Sequence, residues 1–404
     1  MKKRAFILIA LWSLIVSLLL IAGCESAGTP AVSPSDNPNV SESINGDDET
    51  RGTSDDDIDG KLIFDYSLEL EYADNFAVDY YKGGYIIFKD VEGGREYLIV
   101  PENKSDPENL PKDLKVLHAP ITNLYIDSSA MVAFMTSVDS KLEALKLVTN
   151  ERDSWYLDDV VAAMDAGKIK YAGKYNSPDY EMLVAADIQL CVCTTMANSS
   201  PEILAKYDEL GIPYFVESSS KENHPLARME WMKLMGIICG KAEEANTAFN
   251  VQKEIVDSVS SAQASDKTVA IFYYSNDGTK VYIRNANDYI AVMLKLAGGV
   301  YVAEDLKPGE SGNTTATLEE LFEIVCEADY IFYMNYYAKF TTLEDFIAFN
   351  EINKEFKAVK DKKVWYTSPD FSQKANALGD IISDMHKVLV TQENIDTDYF
   401  IYMK

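Results

Sequence analysis

Residues 225–262 read PLARMEWMKLMGIICGKAEEANTAFNVQKEIVDSVSSA and contain almost no residues that favour turns. Good helix formers dominate this stretch, and Gly236 and Gly240 are its interior weak points. A helix of this length can cross a whole domain, because each residue adds ~1.5 Å along the axis. We therefore predict one long α-helix over 225–262, which joins a lobe at about 62–224 to a second lobe at about 265–398.

Both predicted lobes contain short apolar runs that are rich in β-branched and aromatic residues, as is typical of strands. These runs lie at residues 85–88, 97–100, 144–148, 190–193, 213–216, 269–274, 330–333 and 364–366. Helical patterns lie between them, and the one at 201–211 ends on a glycine before the next run begins. Strands that alternate with helices predict an α/β fold with two Rossmann-like lobes and largely parallel sheets.

The N-terminus has the layout of an exported lipoprotein. Three basic residues at 2–4 precede a long apolar run, which ends in LIAGC at 20–24. This order predicts a secretory signal over residues 1–24. The small pair before Cys24 resembles a bacterial lipobox, so we predict that this cysteine carries the lipid. A plain transmembrane helix is the alternative, because the apolar run is long enough.

Residues 25–60 change abruptly to Ser, Thr, Pro, Asn and acidic side chains, with no aromatic residue. Such a segment cannot bury enough apolar area to offset its chain entropy. We predict a disordered acidic tether that holds the folded part away from the membrane. A calcium loop at Asp55 to Asp57 is a weaker alternative, because the glycine and the glutamate of the EF-hand pattern are missing.

The composition excludes several classes of function. The chain has 404 residues, and 37 Lys+Arg against 65 Asp+Glu give a formal net charge of -28. Such an acidic chain is repelled by nucleic acid, so we expect no nucleic-acid partner. Three histidines and five cysteines leave little material for a metal site or a disulfide scaffold. We expect neither a bound metal nor a cofactor.

Six stretches of the folded part carry a resemblance to a known family. They are YAGKYNSPDYE at 171–181, ESSS at 217–220 with HPLARMEW at 224–231, NDY at 287–289 with LAGG at 296–299, and EADYI at 327–331. Their order, together with the lipobox and the tether, resembles the substrate-binding lipoproteins of ABC importers for iron complexes and cobalamin. The fold that this resemblance implies is the helical-backbone, class III periplasmic binding protein.

The resemblance implies a ligand cleft between the lobes and little domain closure, because the linking helix resists bending. It also implies that one glutamate on each lobe docks onto arginines of the membrane permease. The matching positions are Glu181 and Glu320, with Glu319 as the rival of the latter. The alternative is that these glutamates only favour the N-termini of their helices.

Candidate ligand-binding residues lie in the loops that follow the predicted strands. They are Tyr175, Thr194, Thr195, Met196, Ser218, Ser219, Tyr274, Asn335, Tyr336 and Tyr337. Aromatic faces with a few polar groups suit a bulky planar or chelated ligand. Arg228 and Arg284 could hold a negative charge of the ligand by bidentate bonds, and internal salt bridges are the alternative. His224 could approach the cleft or merely cap the long helix.

We therefore predict a monomeric binding protein, anchored by its lipid to the extracytoplasmic face of the bacterial cell membrane, that serves an ABC importer permease. A ferric siderophore is the expected ligand, with cobalamin or haem as alternatives. An exported α/β hydrolase is a further alternative, but no G-x-S-x-G, H-E-x-x-H or P-loop motif occurs, so we expect no catalytic residue and no enzyme. A sensor that kept the fold and lost transport also stays open.

Overall fold

The computed structural model describes residues 60–139, 142–391 and 393–404. The predicted signal segment, the predicted lipid-bearing Cys24 and the tether up to residue 59 lie outside the described residues. Within the described ranges, no helix is both long enough and apolar enough to cross a bilayer.

The first sheet is a five-stranded N-terminal sheet that the strand patterns did not separate from the first lobe. Its strands are β1 Phe64–Ser67, β2 Phe76–Tyr81, β3 Tyr85–Asp90, β4 Arg95–Val100 and β5 Lys115–His118. The pairs from β1 to β4 are antiparallel, whereas β4 and β5 are parallel. The region predicted as one α/β lobe, residues 62–224, therefore begins with a mainly antiparallel sheet.

The second sheet is fully parallel and alternates with helices. Its region contains β6 Leu124–Ile126, α1 Ser129–Val138, β7 Leu145–Val148, α2 Asp158–Asp165, β8 Lys170–Tyr171, β9 Gly173–Lys174, β10 Ser177–Pro178, α3 Tyr180–Ala185, β11 Leu190–Cys193, α4 Pro201–Leu210 and β12 Tyr214–Val216. The strand order is β12-β11-β6-β7-β8, and β9 and β10 form a separate hairpin. Because all five strands run the same way, the residues after them meet at one edge.

Two helices replace the single predicted linking helix. They are α5 Pro225–Ile238 and α6 Ala242–Ser260. Gly240 has a φ of +66°, a left-handed conformation that a helix interior cannot adopt, and the chain turns there. The prediction of one continuous helix over 225–262 is therefore wrong at Gly240. After the turn, α5 and α6 pack against each other.

Close packing of α5 against α6 depends on Gly236. A Cβ atom at this position would lie 2.3 Å from the Cβ of Ala245 and 2.8 Å from the carbonyl oxygen of Lys241. Nearly every residue of α5 is buried, as expected for a helix that is covered on all sides. The small residue at 236 thus lets the two helix backbones approach.

We expect Gly236→Ala to lower the free energy of unfolding by about 1–3 kcal/mol, because the added methyl group overpacks the contact between α5 and α6. Urea unfolding followed by tryptophan fluorescence measures the change. Gly240→Ala is the matched control, because it strains the backbone without any neighbour within 4 Å. Helix propensity alone would stabilise Gly236→Ala by about 1 kcal/mol, and that sign would contradict the packing argument.

The C-terminal lobe is built on a seven-stranded sheet. Its elements are β13 Thr268–Tyr274, β14 Val281–Arg284, α7 Tyr289–Leu296, β15 Val300–Tyr301, β16 Asn313–Ala316, α8 Leu318–Val325, β17 Tyr330–Tyr333, α9 Leu343–Phe349, α10 Lys357–Lys360, β18 Val364–Thr367, α11 Leu378–Thr391 and β19 Phe400–Tyr402. The order is β16-β14-β13-β17-β18-β19, with β15 also on β13. Strands β13, β15, β17 and β18 are parallel, β14 pairs antiparallel with both β13 and β16, and β19 pairs antiparallel with β18.

The predicted α/β class is confirmed, and each of the eight predicted apolar runs coincides with a strand. Helix α4 also ends as predicted, on Gly211 in a left-handed conformation with φ 70°. The other eleven of the nineteen strands in the described ranges were not predicted, and the short central strand β6 is one of them.

One hydrophobic core runs through both lobes. It includes Phe134 of α1, Val148 of β7, Met235 of α5, Ile271 of β13 and Met385 of α11. Helix α6 packs against α5, α1 and α11, so it contributes to the interior of both halves. The two lobes therefore share this main core, and two smaller buried clusters belong to the N-terminal lobe alone.

Candidate functional site

Two cavities open where the carboxyl ends of the parallel strands meet. The first has a volume of about 450 Å³ and is lined by residues of the N-terminal lobe alone: Asp127, Thr149, Asn150, Glu151, Ser154, Tyr171, Lys174, Tyr175 and Met196. The second has a volume of about 400 Å³ and is lined by residues of both lobes: Asn150, Asp153, Ser154, Tyr156, Asn335, Tyr336, Lys339, Ser368, Pro369, Ser372 and Gln373. Asn150 and Ser154 line both cavities, so the two cavities are neighbours within one cleft.

Asp127 lies at the floor of the first cavity, directly after the central strand β6. Its side chain is nearly buried, with the residue 8% exposed, and its Oδ1 accepts a hydrogen bond from the backbone N–H of Thr194. Among the described residues, none donates to the second carboxyl oxygen, Oδ2. Burial, with a smaller contribution from the neighbouring Glu217 carboxylate, raises the pKa of Asp127 to about 8.

A second buried acid, Glu217, follows strand β12 in the same sheet. Its Oε1 accepts from the Ser128 hydroxyl at 2.8 Å, and its Oε2 accepts from the backbone N–H of Ser219 at 2.9 Å. Burial raises the pKa of Glu217, whereas its hydrogen bonds and the positive charge of Arg228 act in the opposite direction. Arg228 therefore offsets the negative charge of Glu217. In the part of the chain that the structure describes, no cation offsets the charge of Asp127 in this way.

The two candidate arginines, one on the linking helix and one on the C-terminal lobe, both interact with Tyr289. The guanidinium carbon of Arg228, on α5, lies 4.5 Å from the ring centroid of Tyr289. Arg284, at the end of β14, is buried. Burial alone would lower the pKa of its guanidinium group, and Tyr289 is one of the side chains whose electrostatic interaction raises that pKa. Its Nη1 lies 3.6 Å from Oδ2 of Asp288, which is the internal salt bridge left open as an alternative. In both arginines Nε is buried and has no hydrogen-bond partner among the described residues.

Four tyrosines form an aromatic wall beside Arg284. Tyr273 stacks on Tyr282 with ring centroids 4.9 Å apart, and it meets Tyr336 and Tyr337 at 5.2 and 5.7 Å. The guanidinium carbon of Arg284 lies 5.7 and 5.6 Å from the ring centroids of Tyr273 and Tyr336. Because Tyr337 is 57% exposed and Tyr336 lines the second cavity, this wall is accessible from the cleft.

The structure brings several predicted ligand residues to the cavities. Tyr175 and Met196 line the first cavity, and Asn335 and Tyr336 line the second. The backbone N–H of Thr194 donates a hydrogen bond to Asp127, and that of Ser219 donates one to Glu217. The hydroxyl of Ser218 donates a 2.9 Å hydrogen bond to Glu92 of the N-terminal sheet. Thr195 is half-buried at the start of the short helical turn 195–199.

Tyr274 corrects the sequence prediction, because the structure places it in the core. The residue is fully buried, and its hydroxyl donates to Oδ1 of Asn353 at 2.5 Å. Its ring packs beside Tyr333 and Phe349. A side chain with no exposed surface cannot contact a ligand, and the neighbouring Tyr273 occupies the position beside Arg284 instead.

Side chains of the C-terminal lobe bridge the back of the cleft. Gln373 accepts a hydrogen bond from the backbone N–H of Tyr156 at 2.9 Å and donates to the carbonyl oxygen of Ser154 at 2.7 Å. Asn376 donates to the Ser137 hydroxyl at 2.8 Å. These bonds, like the shared core, link the two lobes.

The predicted docking glutamates lie in the first turns of their helices and are exposed. Glu320 closes a capping box, since its carboxylate accepts from the backbone N–H of Thr317 at 2.7 Å. Its neighbour Glu319 takes no part in this cap. His224 fulfils the capping alternative, because its Nδ1 accepts from the N–H of Leu226 at 3.2 Å and its ring stacks on Tyr72.

Two residues of this site, Asp127 and Glu217, were not predicted. The signal for Asp127 was the order Leu-Tyr-Ile-Asp-Ser at 124–128, a short strand followed by an acid and a helix cap. Within the described residues, no group of three or more His, Cys, Asp or Glu side chains is placed to hold a metal ion.

Comparison with known proteins gives one family match. Residues 131–371, more than half of the chain, match the family described as periplasmic binding protein. Two lipoproteins of Methanocaldococcus jannaschii are similar in sequence. One is 27% identical over 330 residues and the other 21% identical over 310 residues, and each alignment covers 75% of this chain and 77% of the relative.

Solved structures show the same fold at low sequence identity. A periplasmic haem binding protein from Pseudomonas aeruginosa is 12% identical with a TM-score of 0.53, covering 70% of this chain and 98% of that protein. An ABC transporter substrate-binding protein from Listeria monocytogenes is 19% identical with a TM-score of 0.51, covering 67% and 99%. The siderophore binding protein FhuD from Vibrio cholerae, bound to Fe3+ and Desferal, is 16% identical with a TM-score of 0.50, covering 67% and 99%.

Proposed function

This chain belongs to the periplasmic binding protein family, and we propose that it captures a ferric siderophore in the cleft between its lobes and delivers it to an ABC importer. The family consists of binding proteins rather than enzymes, and the chain is one of them. Cobalamin and haem remain the alternative ligands in the same role. The similar proteins whose names mention haem and Fe3+ with Desferal support a ligand of this kind.

One observation carries the proposal: Arg228 on the linking helix α5 and Arg284 on the C-terminal lobe both interact with Tyr289, and the buried Nε of each has no hydrogen-bond partner among the described residues. A guanidinium with an unused donor binds carboxylate, catecholate or hydroxamate oxygens strongly, especially where water is excluded. The tyrosine wall beside Arg284 adds flat apolar surface for a bulky complex. An iron chelate that is rich in oxygen atoms and aromatic or apolar on its outside matches both features.

The membrane side of the proposal rests on the N-terminal sequence. Diacylation of Cys24 would anchor the protein to the extracytoplasmic face of the membrane, as a monomer on its acidic tether. The two related lipoproteins support this anchor. Glu181 and Glu320 are the proposed contacts to the permease. Glu319 is the alternative to Glu320, because its carboxylate takes no part in the capping box that holds Glu320.

Titration of the full-length protein with ferric siderophores, cobalamin and haem tests the ligand, with intrinsic fluorescence as the readout and protein-free detergent as the blank. We expect saturable binding of a ferric siderophore at micromolar concentration or below. Saturable binding of cobalamin or haem alone would name the alternative ligand, and no binding at all would refute the receptor function.

We expect Arg228→Gln and Arg284→Gln each to weaken this binding roughly 10- to 100-fold, because a desolvated charge-assisted bond to the ligand is lost. Arg95→Gln is the matched control. None of the three arginines lines either cavity, but the guanidinium of Arg95 lies over the ring of Tyr214 and pairs with Asp208. Among the described residues its neighbours include neither Tyr289 nor the tyrosine wall. Equal affinities for wild type and for both arginine variants would contradict the proposed site, provided that thermal unfolding shows the variants folded.

A further inference from the structure

We infer that Asp127 forms a separate subsite in the N-terminal lobe, and that this subsite takes a primary ammonium arm of the ligand. The inference rests on the proposed ligand-binding function. It narrows the ligand to complexes that carry an amine on a flexible arm, in addition to the anionic or oxygen-rich part that the two arginines would hold.

The cavity itself is a built site. It has a volume of about 450 Å³, is lined by one lobe only, and has Asp127 at its floor. One oxygen of this carboxyl is fixed by the N–H of Thr194, so the group cannot turn away. The other oxygen has no donor among the described residues and is accessible from the cavity. A nearly buried carboxyl that keeps one unpaired oxygen is costly unless a partner arrives.

The charges around Asp127 favour the binding of a cation at its carboxylate. Glu217 approaches it from the end of β12 and is itself compensated by Arg228. Glu151, after β7, adds a second negative charge at the rim. Lys174, on the β9–β10 hairpin, lies at the rim and is exposed, and it forms no ion pair with Asp127. Two acids on the cavity wall against one exposed lysine favour a cationic guest.

The walls suit the methylene part of such an arm. Tyr171 and Tyr175 line the cavity with half-buried rings, and Met196 adds a flexible apolar side chain that is 49% exposed. Apolar walls around a fixed polar floor are typical of sites that bind an alkyl chain with a polar end. The raised pKa of Asp127 supports the same conclusion, because an ammonium group would restore the charged form that burial disfavours.

A matched pair of ligands tests the inference in the full-length protein. The ferric complex of desferrioxamine B carries a primary amine on an alkyl arm, and its N-acetyl derivative lacks that positive charge with the iron centre unchanged. We expect wild type to bind the amine form at least tenfold more tightly than the acetylated form at pH 8. This comparison needs no variant, so a folding defect cannot obscure it.

Asp127→Asn then assigns the preference to this residue. The amide keeps an oxygen for the N–H of Thr194 and presents an NH₂ group to the cavity. We expect this variant to lose the preference for the amine form and to bind the acetylated form within about threefold of wild type. Glu151→Gln is the control, because it removes the same charge from the rim of the same cavity.

Equal wild-type affinities for the two complexes would overturn the subsite and leave the proposed binding function intact. A preference that Asp127→Asn and Glu151→Gln reduce to the same extent would also overturn it, because only the general charge of the cavity would then matter. Absence of any binding by ferric siderophores, cobalamin and haem would overturn the proposed function together with the subsite.

Discussion

Replacing Glu230 by alanine is expected to lower the free energy of unfolding by roughly 3–5 kcal/mol. This side chain of α5 has no exposed surface, and its Oε1 accepts from the N–H of Glu71 at 3.0 Å and from Nζ of Lys233 at 2.7 Å. Its Oε2 accepts from the N–H groups of Tyr72 and Ala73, both at 2.9 Å. Alanine would leave three backbone donors and a nearly buried ammonium group without this partner.

Urea unfolding followed by tryptophan fluorescence measures this loss. Glu230→Gln should fall between wild type and Glu230→Ala, because the amide keeps one acceptor oxygen and lacks the charge. Glu254→Ala is the matched control on α6, since Glu254 is exposed. A loss below about 1 kcal/mol for Glu230→Ala would mean that water or local rearrangement satisfies the freed donors.

Asp127→Asn is expected to stabilise the ligand-free protein by several kcal/mol at pH 9 and by little at pH 4. Burial raises the pKa of Asp127 from 3.8 to about 8 in the folded state. Below pH 4 the carboxyl is protonated in both the folded and the unfolded state, so its burial does not lower the free energy of unfolding further. Between about pH 4 and pH 8 the unfolded chain releases the proton and the folded protein retains it, which lowers wild-type stability by about 1.4 kcal/mol per pH unit.

Unfolding curves of both proteins at pH 5, 7 and 9 measure this effect. The stability difference should grow with pH and level off above about pH 8, where the folded carboxyl is also ionised. Asp305→Asn is the control, because Asp305 is exposed. A difference between Asp127→Asn and wild type that stays constant with pH would show that the carboxyl is solvated in the folded protein.

The apolar runs were the most reliable signal of the fold, because each of the eight forms a strand. Runs such as 190–193 and 330–333 are apolar at every position, and each forms a strand buried on both faces. Strand β6, Leu124 to Ile126, was missed, whereas the equally short β12 follows a helix that ends on Gly211 and was therefore easier to place. The place of β6 at the centre of the parallel sheet is a tertiary property, which three residues cannot signal by periodicity.

The site was predictable at the level of loops and less so at the level of single side chains. Tyr175, Asn335 and Tyr336 follow strands and do line the cavities. Tyr273 and Tyr274 are neighbours on β13, and alternation of side chains along a strand places one beside Arg284 and the other in the core. The sequence offers no means of choosing between them, since both faces of this strand are apolar.

The linking helix shows a different limit. Helix propensity favours continuity across 225–262, and Gly240 is one weak point among many strong formers. The break is decided by packing, because Gly236 and Ala245 come into contact only when the chain turns between them. Helix propensity, which depends on neighbouring residues only, contains no information about the contact between Gly236 and Ala245.

The interior shared by the two lobes means that they are not exchangeable modules. Side chains of α1, α5, α6 and α11 complete the packing of both halves, so a lobe cut out and transplanted into a relative would carry an uncovered apolar face. A new ligand preference in this scaffold has to be introduced through the loops at the strand ends, with the helical middle layer left unchanged.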